Sequence, residues 1–165
     1  MNTHKLAAGL VDILKARRKT VTTIESCTGG LLSGAITAIS GSSEVFDTGF
    51  VTYSDAAKSR LVGVPEYLLA SHGAVSIEVA ASMAECGLKT AAAHLALSIT
   101  GIAGPGGGST EKPVGMVCFG LSYKDPEHQL LTFAQVRQFG DIGRDKVREA
   151  SVQVALQWAI DTLNA

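Results

Sequence analysis

Three short stretches of this chain hold the residue types that could do chemistry. Glu25-Ser26-Cys27-Thr28-Gly29-Gly30 sets hydroxyl and thiol groups beside two glycines. Tyr53-Ser54 stands one helical turn before Lys58, and Thr100-Gly101 opens an irregular, glycine-rich run to Thr110. A serine hydroxyl is a poor nucleophile until a base takes its proton, and a neutral lysine amine can be that base. Lysine ordinarily titrates near about 10.4, whereas a base useful at neutrality titrates at about 7–8. Closing that gap takes about 4 kcal/mol of preference against the charged form, which burial or a second cation can supply. Lys58, on a short helix beside a strand end, is better placed for this than Lys112, which lies in a loop beside Pro113. Cys27 is the better intrinsic nucleophile, but no histidine stands near it in sequence to form a thiolate pair. The plain alternatives are a capped turn without chemistry at 25–30 and a salt-bridged or solvated Lys58.

Other familiar constellations are absent. There is no Gly-x-Ser-x-Gly elbow, the glycine-rich run lacks the Gly-Lys-Ser/Thr ending of a P-loop, and no His-Glu-x-x-His pair occurs. His4, His72, His94 and His128 are scattered, so a Ser–His–Asp triad has no good candidate.

The elements that must position these residues follow from hydrophobic periodicity. Lys5 to Arg18 reads as an amphipathic helix, with Leu6, Leu10, Ile13 and Leu14 on one face and basic residues at its end. Val21–Ile24 reads as a strand, 31–39 as a helix and Val45–Thr52 as a second strand. Ser54 or Asp55 caps a short helix carrying Lys58, Pro65 opens another through Leu69, and Ser76 caps a helix to about Thr90. His94–Ile99 is a third strand ending at Thr100; Val114–Ser122 and Leu130–Val136 are two more, parted by the turn-like Lys124-Asp125-Pro126. The closing helix begins near Ile142 or Gly143. Alternation of this kind predicts one α/β domain over 1–165, a three-layer α/β/α sandwich with a mixed, mainly parallel sheet. Ends of parallel strands gather on one edge, which would bring Ser26, Tyr53 and Thr100 around one pocket.

Composition narrows the function classes. With 14 basic and 15 acidic residues the formal charge is −1, giving no electrostatic reason to expect nucleic acid or an anionic membrane as partner. No apolar run reaches membrane-spanning length, and no signal peptide is evident. Three scattered cysteines form neither a disulfide framework nor a metal cluster, so a cytoplasmic setting is expected and no metal is called for.

Four separated motifs occur in order: Glu25-Ser26-Cys27-Thr28-Gly29-Gly30; Gly49-Phe50-Val51-Thr52-Tyr53-Ser54 with Lys58; Gly73-Ala74-Val75-Ser76; and Gly101-Ile102-Ala103-Gly104-Pro105 through Lys112-Pro113-Val114-Gly115. Together they resemble the C-terminal domain of the CinA family over essentially the whole chain. That resemblance implies hydrolysis of the carboxamide of nicotinamide mononucleotide to nicotinic acid mononucleotide and ammonia, without metal or organic cofactor. Carried across, Ser26 is the nucleophile, Lys58 its general base, and Tyr53 and Thr100 line or orient the centre. Cys27, Thr28, Gly29, Gly30 and Gly101 belong to the substrate-binding surface. Arg144 resembles an arginine that follows a Gly-Asp pair in relatives and contacts substrate, but Ile142 and Gly143 intervene here; Arg148, one turn on, is the substitute. The resemblance also implies a homo-oligomer, with a dimer favoured, and a small-molecule nucleotide as partner. The alternatives are another small amide or nucleotide at the same serine–lysine site, or a non-catalytic nucleotide-binding domain.

Overall fold

The computed structural model describes residues 2–165. Its elements are α1 (Thr3–Arg17), β1 (Val21–Glu25), α2 (Leu31–Thr37), β2 (Phe50–Val51), α3 (Asp55–Ala57), α4 (Glu66–His72), α5 (Ile77–Ala91), β3 (Leu95–Gly101), β4 (Met116–Lys124), β5 (Leu130–Gln138) and α6 (Arg144–Asn164). A short 3₁₀ turn covers Ser42–Glu44, and a widened π turn, Lys58–Val62, continues directly from α3. Local chemistry accounts for several boundaries. Ser54 and Ser76 accept hydrogen bonds from the amides of Ala57 and Val79, capping α3 and α5.

The five strands form one sheet in the order β2-β1-β3-β4-β5. β1 runs parallel to β2 and to β3, whereas β3 with β4 and β4 with β5 are antiparallel. The expectation of a mainly parallel sheet is therefore wrong: the sheet is mixed, and its two longest ladders are antiparallel. The reason lies in the 102–115 segment. A parallel return needs a crossover, usually helical, that carries the chain back to the strand's starting edge. This glycine-rich segment forms no helix; it folds over one edge and delivers β4 beside β3 in the opposite direction.

The strand expected over Val45–Thr52 is also mostly not one. Phe46 bridges Val21, and Phe50 and Val51 pair with Ile24 and Glu25. Four residue steps on this side thus span three on β1, and the extra residue breaks the ladder.

Both faces are covered. On one, α1, α2 and α6 bury Leu10, Leu14, Ile36, Val152 and Leu156 against Leu97 and Phe119. On the other, α5 and the π turn bury Val62, Val79, Met83 and Leu88 against Ile24 and Ala96. Each such side chain contributes about 1.5–3 kcal/mol relative to exposure. α5 lies so close to the sheet that a Cβ at Gly120 would run into the carbonyl of Ala80, an oxygen already accepting from Ser98 Oγ at 2.6 Å. Among the described residues no helix is long and apolar enough to cross a membrane.

Candidate active site

β1, β2 and β3 end on the same edge, and the segments leaving them meet there. The Ser26 amide donates to Ile99 O at 2.8 Å, carrying the β1–β3 ladder one residue further and fixing the serine at its end. The Thr52 amide donates to Glu25 O at 2.8 Å, which holds the Thr52-Tyr53 main chain beside it. The chain then turns through α3, and the π turn swings Lys58 back toward β1; such widened turns recur at functional sites.

The Lys58 side chain is 1% exposed and ends among three oxygens. Nζ lies 3.0 Å from Ser26 Oγ, 2.9 Å from Thr52 O and 3.3 Å from Tyr53 O. Among the described residues no carboxylate forms an ion pair with it. Burial holds its pKa below the ordinary lysine value, with the charge of Asp55 pulling the other way. The geometry satisfies either protonation state. As an ammonium, Lys58 gives one N–H to each oxygen while Ser26 O–H donates to Tyr53 O at 3.3 Å. As a neutral amine it keeps two N–H bonds to the carbonyls and turns its lone pair to the Ser26 hydroxyl. The second arrangement sets an amine lone pair against the Ser26 hydroxyl proton, which general-base activation of a serine requires.

The Ser26–Gly30 turn is built to present its backbone. Gly29 and Gly30 take φ values of 55° and 105°, the left-handed region where a side chain is strained. α2 has no cap of its own: Gly30 occupies the N-cap position. The fully buried Glu25 carboxylate caps it instead, accepting from the amides of Leu32 (2.8 Å) and Ser33 (3.0 Å) and from the hydroxyls of Thr28 (2.7 Å) and Ser33 (2.8 Å). Sequence reasoning places Glu25 in the motif but gives it no role. A helix starting at Gly30-Leu31 with no Ser, Thr, Asp or Asn at its cap is the signal that a borrowed acceptor is needed.

An open cleft of about 270 Å³ lies over this edge. Its floor is Ser26, Cys27 and Lys58; Tyr53 and Asp55 stand on one side, and Ala74, Val75, Thr100 and Gly101 on another. Ile102, Ala103, Gly104, Gly106, Gly107 and Arg144 complete its lining. Among the described residues no histidine lines it. Thr100 Oγ1 donates to Ala74 O at 2.9 Å, tying β3 to the approach to α5. Tyr53 takes part through its main chain; its ring is 60% exposed, with the hydroxyl accepting from Arg144 Nη2 at 3.1 Å. Arg144 Nη1 also donates to Gly104 O at 2.8 Å. Thr28, Gly29, Gly30 and Arg148 do not line the cleft. Thr28 is buried on Glu25, and Arg148 reaches behind the turn, donating through Nε to Cys27 O (3.1 Å) and through Nη2 to Thr28 O (3.3 Å). Lys112 bonds His72 O at 2.6 Å, away from Ser26.

Cys27 faces the cleft, but burial pushes its thiol up to about 11, against the pull of its own amide and of Arg148. A thiol so placed is protonated at neutral pH and is not poised for attack. Among the described residues no three His, Cys, Asp or Glu side chains come together to hold a metal ion.

The chain has counterparts among known proteins. The family model for the CinA C-terminal domain matches residues 3–163. Over 158 residues the chain is 51% identical to the nicotinamide-nucleotide amidohydrolase PncC of Enterobacter agglomerans, covering 95% of this chain and 93% of that protein. It is 44% identical over 147 residues to a putative competence-damage inducible protein of Caldicellulosiruptor bescii, covering 89% of this chain but 34% of that longer one. The crystal structure of competence/damage inducible protein CihA from Agrobacterium tumefaciens superposes with a TM-score of 0.91 at 42% identity, over 99% of this chain and 96% of that one. The match of the family model across nearly every residue and the shared fold lead to one assignment: the chain belongs to the CinA C-terminal domain family.

Proposed function

We propose that this chain is a nicotinamide-nucleotide amidase, converting nicotinamide mononucleotide and water to nicotinic acid mononucleotide and ammonia. The observation that carries this is the 3.0 Å contact between a buried, charge-disfavoured Lys58 and Ser26 at the floor of an open cleft. In this mechanism Lys58 takes the Ser26 proton as Oγ attacks the carboxamide carbon. The oxygen of the tetrahedral intermediate accepts from the Cys27 amide, which makes no hydrogen bond to another described residue. Lys58 then returns the proton to the departing nitrogen, releasing ammonia and leaving an acyl ester on Ser26. A water, deprotonated by Lys58, cleaves that ester, and the proton goes back to Ser26. Thr100 keeps the wall opposite Ser26 in place, and Arg144, the cation at the rim, grips the phosphate. The test is incubation with nicotinamide mononucleotide, nicotinamide riboside, free nicotinamide and nicotinamide adenine dinucleotide, measuring ammonia and the acid product. Release from the mononucleotide no faster than without protein would refute the assignment.

A homodimer is part of this reading. β5 is a nine-residue edge strand on which Phe133 and Val136 are 50% and 41% exposed. Beside it a groove of about 430 Å³ is lined in part by Arg137 and Asp161, and in this reading the arginine of one copy pairs with the aspartate of the other. Reversing either charge alone should give monomers in light scattering, and reversing both should restore dimers. A monomeric wild-type protein would rule this out.

A further inference from the structure

Arg148 stands one turn along α6 from Arg144, on the same helical face, yet the two guanidinium groups do different things. Arg144 looks into the cleft, whereas Arg148 lies behind the nucleophile turn. No carboxylate among the described residues lies within ion-pairing distance of Arg148. Its donors go instead to two successive main-chain carbonyls, Cys27 O and Thr28 O. Gly29 is favoured by its φ of 55° rather than by the guanidinium, since a Cβ there would meet Nη2 at 3.5 Å, an ordinary contact. A charged donor directed at neutral carbonyls in a tight turn acts on the peptides that carry them.

The hydrogen bonds form a directed chain. Arg148 Nη2 donates to Thr28 O, the carbonyl of the peptide whose amide is Gly29 N–H. Gly29 N–H donates to Ser26 O at 3.1 Å, the carbonyl of the peptide whose amide is Cys27 N–H. Polarising each carbonyl strengthens the donor at the other end of the same peptide, so the polarisation set up by the guanidinium reaches the Cys27 amide through two planar units. The Nε bond to Cys27 O, at 3.1 Å, adds a second point of attachment on the turn between them.

We propose that Arg148 is a positioning residue for the hydrolysis, its guanidinium fixing and polarising the Ser26–Gly29 turn so that the Cys27 amide is held ready for the oxyanion. This rests on the amidase reading, and the turn itself would serve any acyl transfer at Ser26.

The experiment compares Arg148→Met and Arg148→Lys with wild type. Losing a well-placed oxyanion donor outright slows such chemistry by about 10²–10³. Losing its polarising partner should cost less, about 10–100-fold in kcat for Arg148→Met, with KM for the mononucleotide changed by less than about twofold. Arg148→Lys should fall between, since one ammonium cannot span both carbonyls with the same fork. Phosphonylation of Ser26 by a fluorophosphonate probe, which builds a tetrahedral centre at the same place, should slow in parallel. Binding of nicotinic acid mononucleotide, read by calorimetry, should not change. An unaltered kcat, or a KM that rises for the mononucleotide alone, would overturn the proposal, the latter in favour of a phosphate contact. Product binding and melting temperature that collapse together with kcat in both variants would reduce Arg148 to a structural brace. If the Met variant does not fold, the Lys variant carries the same comparisons. A wild type that is phosphonylated at Ser26 but leaves the mononucleotide intact would reject the substrate and still test Arg148 through the probe.

Discussion

Replacing Lys58 by Met gives two readings of one ionisation. Met is unbranched and can fill the same channel, so the turn keeps its packing while the titrating group goes. If Lys58 is the base, kcat should fall by about 10²–10⁴, which at about 1.36 kcal/mol per tenfold is about 2.7–5.4 kcal/mol of barrier. Stability should change in a pH-dependent way. In the unfolded chain Lys58 titrates near its ordinary 10.5, and in the folded chain burial holds it lower. Between those two values the unfolded chain binds more protons, so wild-type stability rises with pH, by up to about 1.36 kcal/mol per pH unit. Below the folded value the penalty of burying the charge is present in full; it is relieved as pH climbs to the unfolded value. The Met variant lacks this slope. Its lost bonds to Ser26, Thr52 and Tyr53 add an offset that does not depend on pH. Urea unfolding of both proteins from about pH 6 to 10.5, subtracted, isolates the folded pKa of Lys58. The acidic limb of kcat/KM against pH should turn at that same value for the free enzyme. Parallel stability curves, or a kinetic limb that turns elsewhere, would refute Lys58 as the base.

Lys58→Arg should not rescue turnover, because a guanidinium stays protonated and has no lone pair to offer; near-wild-type ammonia release would defeat the assignment. Arg144→Ala should raise KM for the mononucleotide far more than for its riboside, and equal effects on both would remove Arg144 from phosphate binding. Glu25→Gln should lower stability by about 1–3 kcal/mol, since an amide cannot accept the four bonds the carboxylate takes without presenting N–H to donors; an unchanged denaturant midpoint would contradict the capping role. Activity should withstand exhaustive dialysis against a chelator, and its loss with recovery on adding one divalent ion would contradict the serine–lysine chemistry.

Much of this is legible in the sequence where the signal is local. The caps at Ser54 and Ser76, the helices of the first and last segments and the hairpin pairing of β4 with β5 follow from residues a few positions apart. The convergence of Ser26, Tyr53 and Thr100 comes from the rule that parallel strands share an edge, and β1, β2 and β3 do. Long-range matters are harder. The direction of β4 depends on how an irregular segment closes, which periodicity does not encode, and the break in β2 depends on one residue too many against β1. Arg144 and Arg148 cannot be told apart from spacing, because both sit on one face of α6; only the distances separate a cleft residue from one behind the turn. The capping role of Glu25 is hidden because its partners come from the helix after it.

The cradle of Lys58 has a consequence for how this centre responds to mutation. Apart from Ser26, its partners are the main-chain oxygens of Thr52 and Tyr53. A carboxylate partner can be deleted by one codon change, but a peptide carbonyl survives every side-chain replacement that leaves the backbone in place. Substitutions at 52 and 53 should therefore perturb packing or the rim of the cleft while Lys58 keeps its two oxygens. The vulnerable element is instead the backbone path itself: the Thr52 amide bond to Glu25 O is what holds those carbonyls in line, and a proline at position 52 would abolish it. Fragility at Lys58 is thus displaced from side-chain identity to the main chain that leaves a two-residue strand.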